Sequence, residues 1–331
     1  MSQENLVVAF AMINKIAEPY YQGGSARKVK YMQISRVYER LVPMRSVWRD
    51  YLDLTKPGVT AVVILSSIAT MFIASEGLPQ VSTVMALLVG GLMAVGGANV
   101  MNCCLDADLD AVMTRTADRP LAAQRLDLKN AFTFGLALVA LSFIVLSVGV
   151  NLLAGVLAMA AVFVHVVVYT RWLKRRSTHN VLAGALAGAI APLIGWAAAT
   201  GTLSYQALIF FAIVFYWTPT HFWSLALSIR SEFIRAGIPT LPTTQGPQAT
   251  RIQIGRYAVL MVTISILPVG FGLLHSFYAL AAILLGGFFV FYAATMMMSP
   301  GVRTTWRLYK YSSMYLTLLF AAMLVDWVFF F

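Results

Sequence analysis

The chain has 331 residues, of which 60% are hydrophobic and 11% are charged, and its mean hydropathy is +0.77. A soluble domain carries about 25% charged residues, so the composition excludes a soluble globular protein and predicts an integral membrane protein. The formal net charge of +11 would also suit a nucleic-acid-binding protein, so the distribution of that charge has to be considered.

Nine apolar stretches are long enough to cross a bilayer as helices. They predict an all-α fold, a polytopic membrane bundle of nine transmembrane helices. We expect residues 1–48 to form a cytoplasmic N-terminal extension and residues 49–331 to form the transmembrane domain. The predicted spans are residues 58–75, 81–101, 131–149, 152–170, 181–200, 206–227, 256–274, 277–298 and 311–330.

The basic residues fall on one side of this predicted bundle. All 24 Lys and Arg residues lie in the N-terminal segment or in the connections after the second, fourth, sixth and eighth spans. The positive-inside rule therefore places the N-terminus and these four connections in the cytoplasm and the C-terminus outside, in a cell (cytoplasmic) membrane. The excess of basic residues is then explained by topology and by attraction to anionic membrane lipid, with no nucleic acid partner.

Polar residues at a spacing of four follow the second span. Asn102, Asp106 and Asp110 would lie on one face of a continuous helix. Two carboxylates in one stripe need a cation between them, and carboxylate and amide oxygens suit Mg²⁺, which keeps several of its waters. Arg115 and Arg119 follow in helical register, where they could bind an anion that the metal also holds. The alternative is an acid-rich, solvated loop between two spans.

A second group of cations, Lys174, Arg175 and Arg176, follows the fourth span. These residues either anchor a helix end at the lipid headgroups or, on the same side as the acidic stripe, hold a diphosphate.

The sixth span ends in an aromatic segment that contains Trp217, Pro219, His221 and Trp223. Proline should kink the helix and free backbone carbonyls inside a protected site. A histidine at membrane depth is costly to bury, so it is either a satisfied hydrogen-bonding residue or a ligand-binding residue. Glu232 is the only acidic residue between positions 128 and 325, which makes it the candidate carboxylate of a second polar motif.

Several motifs in this order resemble the UbiA superfamily of membrane prenyltransferases, and within it the protohaem IX farnesyltransferases (haem O synthases). The first aspartate-rich motif is represented by Asn102, Asp106 and Asp110. Two positions differ from the branch, which usually has Pro-His where this chain has Thr220–His221 and Asp-Asp-Tyr where it has Ser231–Glu232–Phe233. The other strings of the resemblance are Leu54–Pro57, Met113–Leu121, Lys174–Asn180, Trp217–Trp223 and Gly237–Pro242.

The resemblance implies a UbiA-like fold and transfer of the farnesyl group of farnesyl diphosphate to a vinyl group of haem b, with hydration, to give haem O. Asn102, Asp106 and Asp110 would bind Mg²⁺ and act in catalysis with Glu232. His221, Trp217 and Trp223 would contact haem, with His221 as axial ligand or propionate partner. The diphosphate would be bound by Arg115, Arg119, Lys174, Arg175 and Arg230.

The expected context is maturation of a haem–copper oxidase, with a haem A synthase or an oxidase-assembly protein as a possible partner; the oligomeric state is left open. Two other functions fit part of the pattern. A sister UbiA-type enzyme prenylates an aromatic acid in quinone synthesis, and a multi-pass transporter belongs to another class. A transporter is disfavoured by an odd number of spans and by acidic residues confined to one face.

Overall fold

The structure, a computed structural model, describes residues 46–75 and 77–330. Residues 1–45 of the expected cytoplasmic extension lie outside the described residues, so that assignment stays a prediction. Within the described part of the chain the regular structure is entirely helical, which confirms the predicted all-α class.

Nine helices of the described residues are long and apolar enough to cross a membrane, and the protein is a multi-pass membrane protein. Four shorter helices, Val47–Leu54, Ala107–Val112, Arg230–Arg235 and Leu241–Thr244, lie between or before them. The nine spans are α1 (Pro57–Ala74), α2 (Val81–Leu105), α3 (Leu128–Gly149), α4 (Leu152–Leu173), α5 (Asn180–Thr200), α6 (Tyr205–Ser228), α7 (Gly246–Gly270), α8 (Ser276–Met298) and α9 (Val302–Phe330).

Two of the predicted boundaries are wrong by more than two turns. The seventh span was expected at 256–274, but α7 begins at Gly246 because Gly246 has a φ of +86° and a proline follows in the first turn, a favourable helix start. The ninth was expected to begin at residue 311, but α9 begins at Val302. Polar residues occupy the added turns of both helices, so hydropathy alone places these starts too late.

The helices form a closed ring. Each packs against the next in chain order, and α9 packs against α1. α5 is the most enclosed span, with 78% of its apolar window buried against at most 44% for the other spans. It packs closely against α1, where Ser67 Oγ donates to the Ala191 carbonyl at 2.8 Å and Thr70 Oγ1 donates to the Pro192 carbonyl at 3.0 Å. Polar contacts and small residues thus bring the two helices together, as expected inside a membrane.

The second half of α4 departs from α-helical geometry. Residues Leu152–Phe163 are α-helical, and Val164–Leu173 form a π-helix. Helical segments of this kind are rare and often occur at functional sites. Here the π-helix leads directly to Lys174, whose backbone N–H donates to the Tyr169 carbonyl at 2.8 Å.

Candidate functional site

The aspartate stripe lies where α2 ends. The spacing of four would put the three side chains on one face of a helix. In the structure α2 stops at Leu105, and Asp106 (φ −104°, ψ 4°) joins it to the short helix Ala107–Val112. The Asp106 N–H still donates to the Asn102 carbonyl at 3.0 Å, and the Asp110 N–H donates to the Asp106 carbonyl at 2.8 Å. The three side chains therefore stay one turn apart although the helix breaks between them, and all three are buried.

Asp106 is fully buried, and one of its two carboxylate oxygens forms an ion pair with a lysine. Its Oδ2 accepts from Lys174 Nζ at 2.5 Å and from Asn102 Nδ2 at 2.8 Å. Burial opposes the charge on Lys174, but Tyr169 and Asp106 raise its pKa above the ordinary lysine value. The other carboxylate oxygen, Oδ1, is buried and has no hydrogen-bond partner among the described residues, so this atom is available to a ligand.

Asp110 is paired with Arg119. Arg119 Nη1 lies 2.8 Å and 2.7 Å from the two carboxylate oxygens of Asp110. The expected helical register of Arg115 and Arg119 is wrong, because residues 113–124 form successive turns in which the Thr116 hydroxyl donates to the Asp110 carbonyl at 3.1 Å. This folded-back segment, residues 113–124, still places both arginines in the wall of a cavity of about 630 Å³ that Asn102 also lines.

Lys56 joins this cluster although the sequence analysis did not assign it to the site. It precedes Pro57 with a φ of +51°, an unusual conformation for a residue other than glycine, and its Nζ donates to Asn102 Oδ1 at 2.6 Å. Burial lowers the pKa of Lys56 below the ordinary lysine value. The only sequence signal was the Lys-Pro pair at the start of α1.

The π-helix supplies further site residues that the sequence analysis missed. Asn102 Nδ2 donates to Thr170 Oγ1 at 2.9 Å, and Thr170 Oγ1 donates to the His165 carbonyl at 2.7 Å. His165 and Tyr169 line the same cavity as Asn102. Nothing in their local sequence distinguishes them from ordinary residues of an apolar span.

Arg175 is held outside this cavity. Its guanidinium contacts both carboxylate oxygens of the exposed Asp108, at 2.6 and 2.7 Å, and donates to the Leu105 carbonyl at 2.7 Å. The hydrogen bond from Arg175 holds the pKa of the Asp108 carboxyl below its ordinary value. The predicted pair Lys174 and Arg175 is thus divided, since only Lys174 turns toward Asp106.

The second polar motif, around Glu232, contacts the segment that follows the aspartate stripe. Glu232 Oε2 accepts from the Arg115 N–H at 3.2 Å, and Arg235 Nη2 donates to Thr114 Oγ1 at 3.1 Å. Arg230 donates through Nε to the Pro242 carbonyl at 2.8 Å. Neither Glu232 nor Arg230 lines the cavity. Their contacts are instead to the backbone of Arg115 and of Pro242.

His221 lies in a stack of aromatic rings on the cavity wall. Its ring centroid lies 4.5 Å from that of Trp217 and 4.6 Å from that of Tyr309. His221 Nδ1 is 2.6 Å from Ser312 Oγ, whose own proton is donated to the Tyr309 carbonyl at 2.7 Å. This pairing favours the tautomer protonated at Nδ1, in which Nε2 has a free lone pair, and Nε2 has no hydrogen bond among the described residues.

Trp217 and Trp223 occupy different settings. Trp217 lines the cavity and donates from Nε1 to the Ser312 carbonyl at 2.8 Å. Trp223 packs edge-on against Tyr257 at 5.2 Å, away from the cavity lining. The structure therefore brings His221 and Trp217 to one wall and leaves Trp223 in the core.

Several of these residues line the cavity of about 630 Å³, which is cationic at one end and mostly apolar over the rest of its wall. Gly184 and Gly188 leave space on the α5 wall, because a Cβ added at either would meet no atom closer than 3.6 Å. The polar lining includes Lys56, Asn99, Asn102, Arg115, Arg119, His165, Tyr169, His221 and Tyr309. The apolar lining includes Val62, Ile64, Leu87, Ala94, Leu146, Ala158, Ile194, Val214 and Leu316.

The donor set at the charged end suits a divalent cation that retains water. The described residues contain no group of three His, Cys, Asp or Glu side chains that would enclose a metal ion on their own. Asp106 nevertheless presents a buried carboxylate oxygen without a partner, next to the amide of Asn102 and one turn from Asp110. Few protein oxygens together with water and substrate oxygens are typical of Mg²⁺ sites.

The fold and the site together define a polytopic α-helical membrane protein with an amphiphilic cavity that can accept a ligand with an anionic head and an apolar tail. The family model described as the UbiA prenyltransferase family matches residues 62–322. The chain belongs to this family.

The curated relatives and solved structures agree with that assignment. The protohaem IX farnesyltransferase of Roseiflexus sp. (strain RS-1) is 44% identical over 285 residues, 86% of this chain and 53% of the relative. This chain thus spans about half the length of that relative. The protohaem IX farnesyltransferase of Synechocystis sp. is 40% identical over 294 residues, 88% of this chain and 93% of the relative.

Two solved structures show the same fold at low sequence identity. A digeranylgeranylglyceryl phosphate synthase has a TM-score of 0.70 at 17% identity, over 85% of this chain and 98% of that one. A UbiA homologue from Archaeoglobus fulgidus bound to DMAPP and Mg²⁺ has a TM-score of 0.61 at 16% identity, over 83% of this chain and 99% of that one.

Proposed function

We propose that the protein is a haem O synthase, which transfers the farnesyl group of farnesyl diphosphate to a vinyl group of haem b and adds water to the product. The observation that carries the proposal is the cavity lined by cations at one end and by His221 on its wall. The buried Asp106 and Asp110 are hydrogen-bonded to its lining residues Asn102 and Arg119. Relatives at 40–44% identity that are named protohaem IX farnesyltransferases support the choice of substrates.

The charged end is the proposed diphosphate subsite. Asn102, Asp106 and Asp110 would hold Mg²⁺, and the homologue bound to DMAPP and Mg²⁺ supports that choice of ion. When bound, Mg²⁺ would neutralise charge on the diphosphate leaving group. Lys56 and Lys174 would contribute positive charge from the buried side of the cluster, where low polarity strengthens each interaction.

The two arginines of the folded-back segment complete this subsite. Arg115 and Arg119 line the cavity and would bind phosphate oxygens in the bidentate manner that guanidinium groups favour. Arg175 and Arg230 already bind Asp108 and the Pro242 carbonyl, so we assign them to positioning the surrounding loops. Glu232 has the same role through the Arg115 backbone.

The apolar part of the cavity would enclose the farnesyl chain. As the allylic C–O bond breaks, its electron pair leaves with the diphosphate, and the vinyl π electrons of haem form the new C–C bond. Water then adds to the resulting cation and loses a proton, which gives the hydroxyethylfarnesyl group. Apolar walls from α1, α2 and α5 keep bulk water from capturing the farnesyl cation before the vinyl group does.

His221 is the proposed haem contact. Its Nε2 carries the free lone pair that an axial ligand requires, and Ser312 fixes the ring through Nδ1. The variant His221→Ala should bind haem more weakly, and its Soret band should shift. The control variant Trp223→Phe changes the core and should keep the wild-type affinity and spectrum. An unchanged spectrum and affinity in His221→Ala would exclude this contact.

We also propose that the enzyme lies in the cytoplasmic membrane with its N-terminus and active site on the cytoplasmic side. The clustering of all basic residues on one side of the bundle supports this orientation. Haem O would then serve a haem–copper oxidase, with the extension 1–48 available for contact with a downstream assembly protein.

A product assay tests the proposed reaction. The purified protein would receive Mg²⁺, farnesyl diphosphate and haem b, or a quinone-ring aromatic acid as the competing acceptor, and products would be identified by mass spectrometry. A farnesylated and hydrated haem is the expected product. Prenylation of the aromatic acid alone would assign the sister activity, and no reaction with either acceptor would contradict both assignments.

A further inference from the structure

A second, shallower cavity lies at the beginning of α9, outside the site described above. It has a volume of about 560 Å³ and is lined by Arg303, Trp306, Arg307 and Lys310. The three cations are spaced by four and three residues, so they share one face of the helix. None of them makes a salt bridge or a side-chain hydrogen bond with another described residue.

Trp306 connects this cationic face to the wall of the main cavity. It lines the second cavity and packs edge-on against Tyr309 at 5.3 Å. Tyr309 in turn lines the main cavity and stacks on His221. Trp306 fixes the position of this face, because it packs against the buried cluster that includes Leu109 and Ile229.

His221 would leave the propionate groups of haem without a hydrogen-bond donor. In the tautomer that the Ser312 pairing favours, Nδ1 donates to Ser312 and Nε2 carries no proton, so the ring has no hydrogen bond to donate to a carboxylate. The cations at the main cavity are assigned to the proposed diphosphate subsite, namely Lys56, Arg115, Arg119 and Lys174. Two propionates at one edge of haem therefore need other cations, and vinyl groups at the opposite edge have to face the allylic diphosphate.

We propose that Arg303, Arg307 and Lys310 form a binding site for the two propionates of haem, an inference that rests on the proposed function. The site would fix which edge of the porphyrin faces the farnesyl group. Carboxylates paired with exposed cations contribute modestly to affinity and more to orientation. The contribution to affinity should therefore decrease as the salt concentration rises.

The test compares haem b with its dimethyl ester, which keeps the iron and vinyl groups but carries no propionate charge. Absorbance titrations at low salt would use the full-length protein, the double variant Arg307→Gln/Lys310→Gln, and the control Lys129→Gln. Lys129 is an exposed cation at the start of α3, outside both cavities. Affinity for the ester also reports whether the double variant is folded.

The wild type and the control should bind haem b about tenfold more tightly than the ester, and the double variant, which keeps only Arg303, should lose most of this preference. A double variant that keeps the wild-type preference for haem b would overturn the propionate site and would assign these cations to lipid headgroups. A wild type that makes haem O without preferring haem b over its ester would overturn the propionate site alone. A wild type that binds neither porphyrin would contradict the proposed function as well.

Discussion

At the scale of single residues, the site depends on buried charges that neutralise one another. Asp106 is fully enclosed, and Lys174 and Asn102 share one of its oxygens. Such a pair adds little net stability compared with apolar residues of the same size, but it becomes costly when one partner is removed. The cluster is therefore better explained by ligand binding than by folding.

The variant Lys174→Met tests this explanation. It leaves the Asp106 charge buried without its cation, and we expect the free energy of unfolding to fall by about 3 kcal/mol. The double variant Lys174→Met/Asp106→Leu removes both charges and should regain most of that stability while remaining inactive. Unfolding in mixed detergent micelles measures both, and a double variant no more stable than Lys174→Met would contradict the argument.

The sequence predicted these residues unevenly. Asn102, Asp106 and Asp110 were identified because a spacing of four repeats in the chain. Lys56 and Thr170 were missed because each contacts Asn102 from a distant part of the chain, 46 and 68 residues away. Their roles depend on which helices are neighbours, and hydropathy does not contain that information.

At the scale of helices, the number of spans follows from composition, but their irregularities do not. The break lies at Asp106, whose side chain binds Asn102 and Lys174. The π-helix of α4 contains Thr170, whose hydroxyl donates to the His165 carbonyl. Asp326 shows the same limitation. It lies near the end of an apolar span, yet it is fully buried and accepts from the N–H groups of His275 and Tyr278 at the start of α8.

Alanine substitution should have different effects on stability at two glycines of α5. A Cβ at Gly195 would overlap the Ser67 carbonyl of α1, whereas a Cβ at Gly188 would meet only Val214 at 3.9 Å. Gly195→Ala should push α1 from α5 and cost about 3 kcal/mol of unfolding free energy. Gly188→Ala should cost nothing, because its methyl group enters the cavity. Equal thermal stability of the two purified variants would contradict this account of the packing.

At the scale of the whole molecule, charge and hydropathy together predict the orientation. Cys103 and Cys104 are buried, so introduced cysteines can report sidedness. We expect a membrane-impermeant maleimide to label Thr202→Cys, in the exposed turn after α5, in intact spheroplasts. Ala123→Cys, exposed between α2 and α3, should react only after permeabilisation. The reverse pattern would place the active site on the outer side.

The central claim is that the buried Asp106 cluster promotes ionisation of a prenyl diphosphate. The most direct measurement is the rate of Mg²⁺-dependent diphosphate release from farnesyl diphosphate in the presence of haem b, for the wild type, Asp106→Asn and Asp127→Asn. Asp127 is a matched control, since it is an exposed helix cap that accepts from the Asn130 N–H at 2.9 Å, and asparagine can also cap a helix. We expect Asp106→Asn to lose about a thousandfold in rate and Asp127→Asn to keep the wild-type rate. An Asp106→Asn variant as fast as the wild type would contradict the claim.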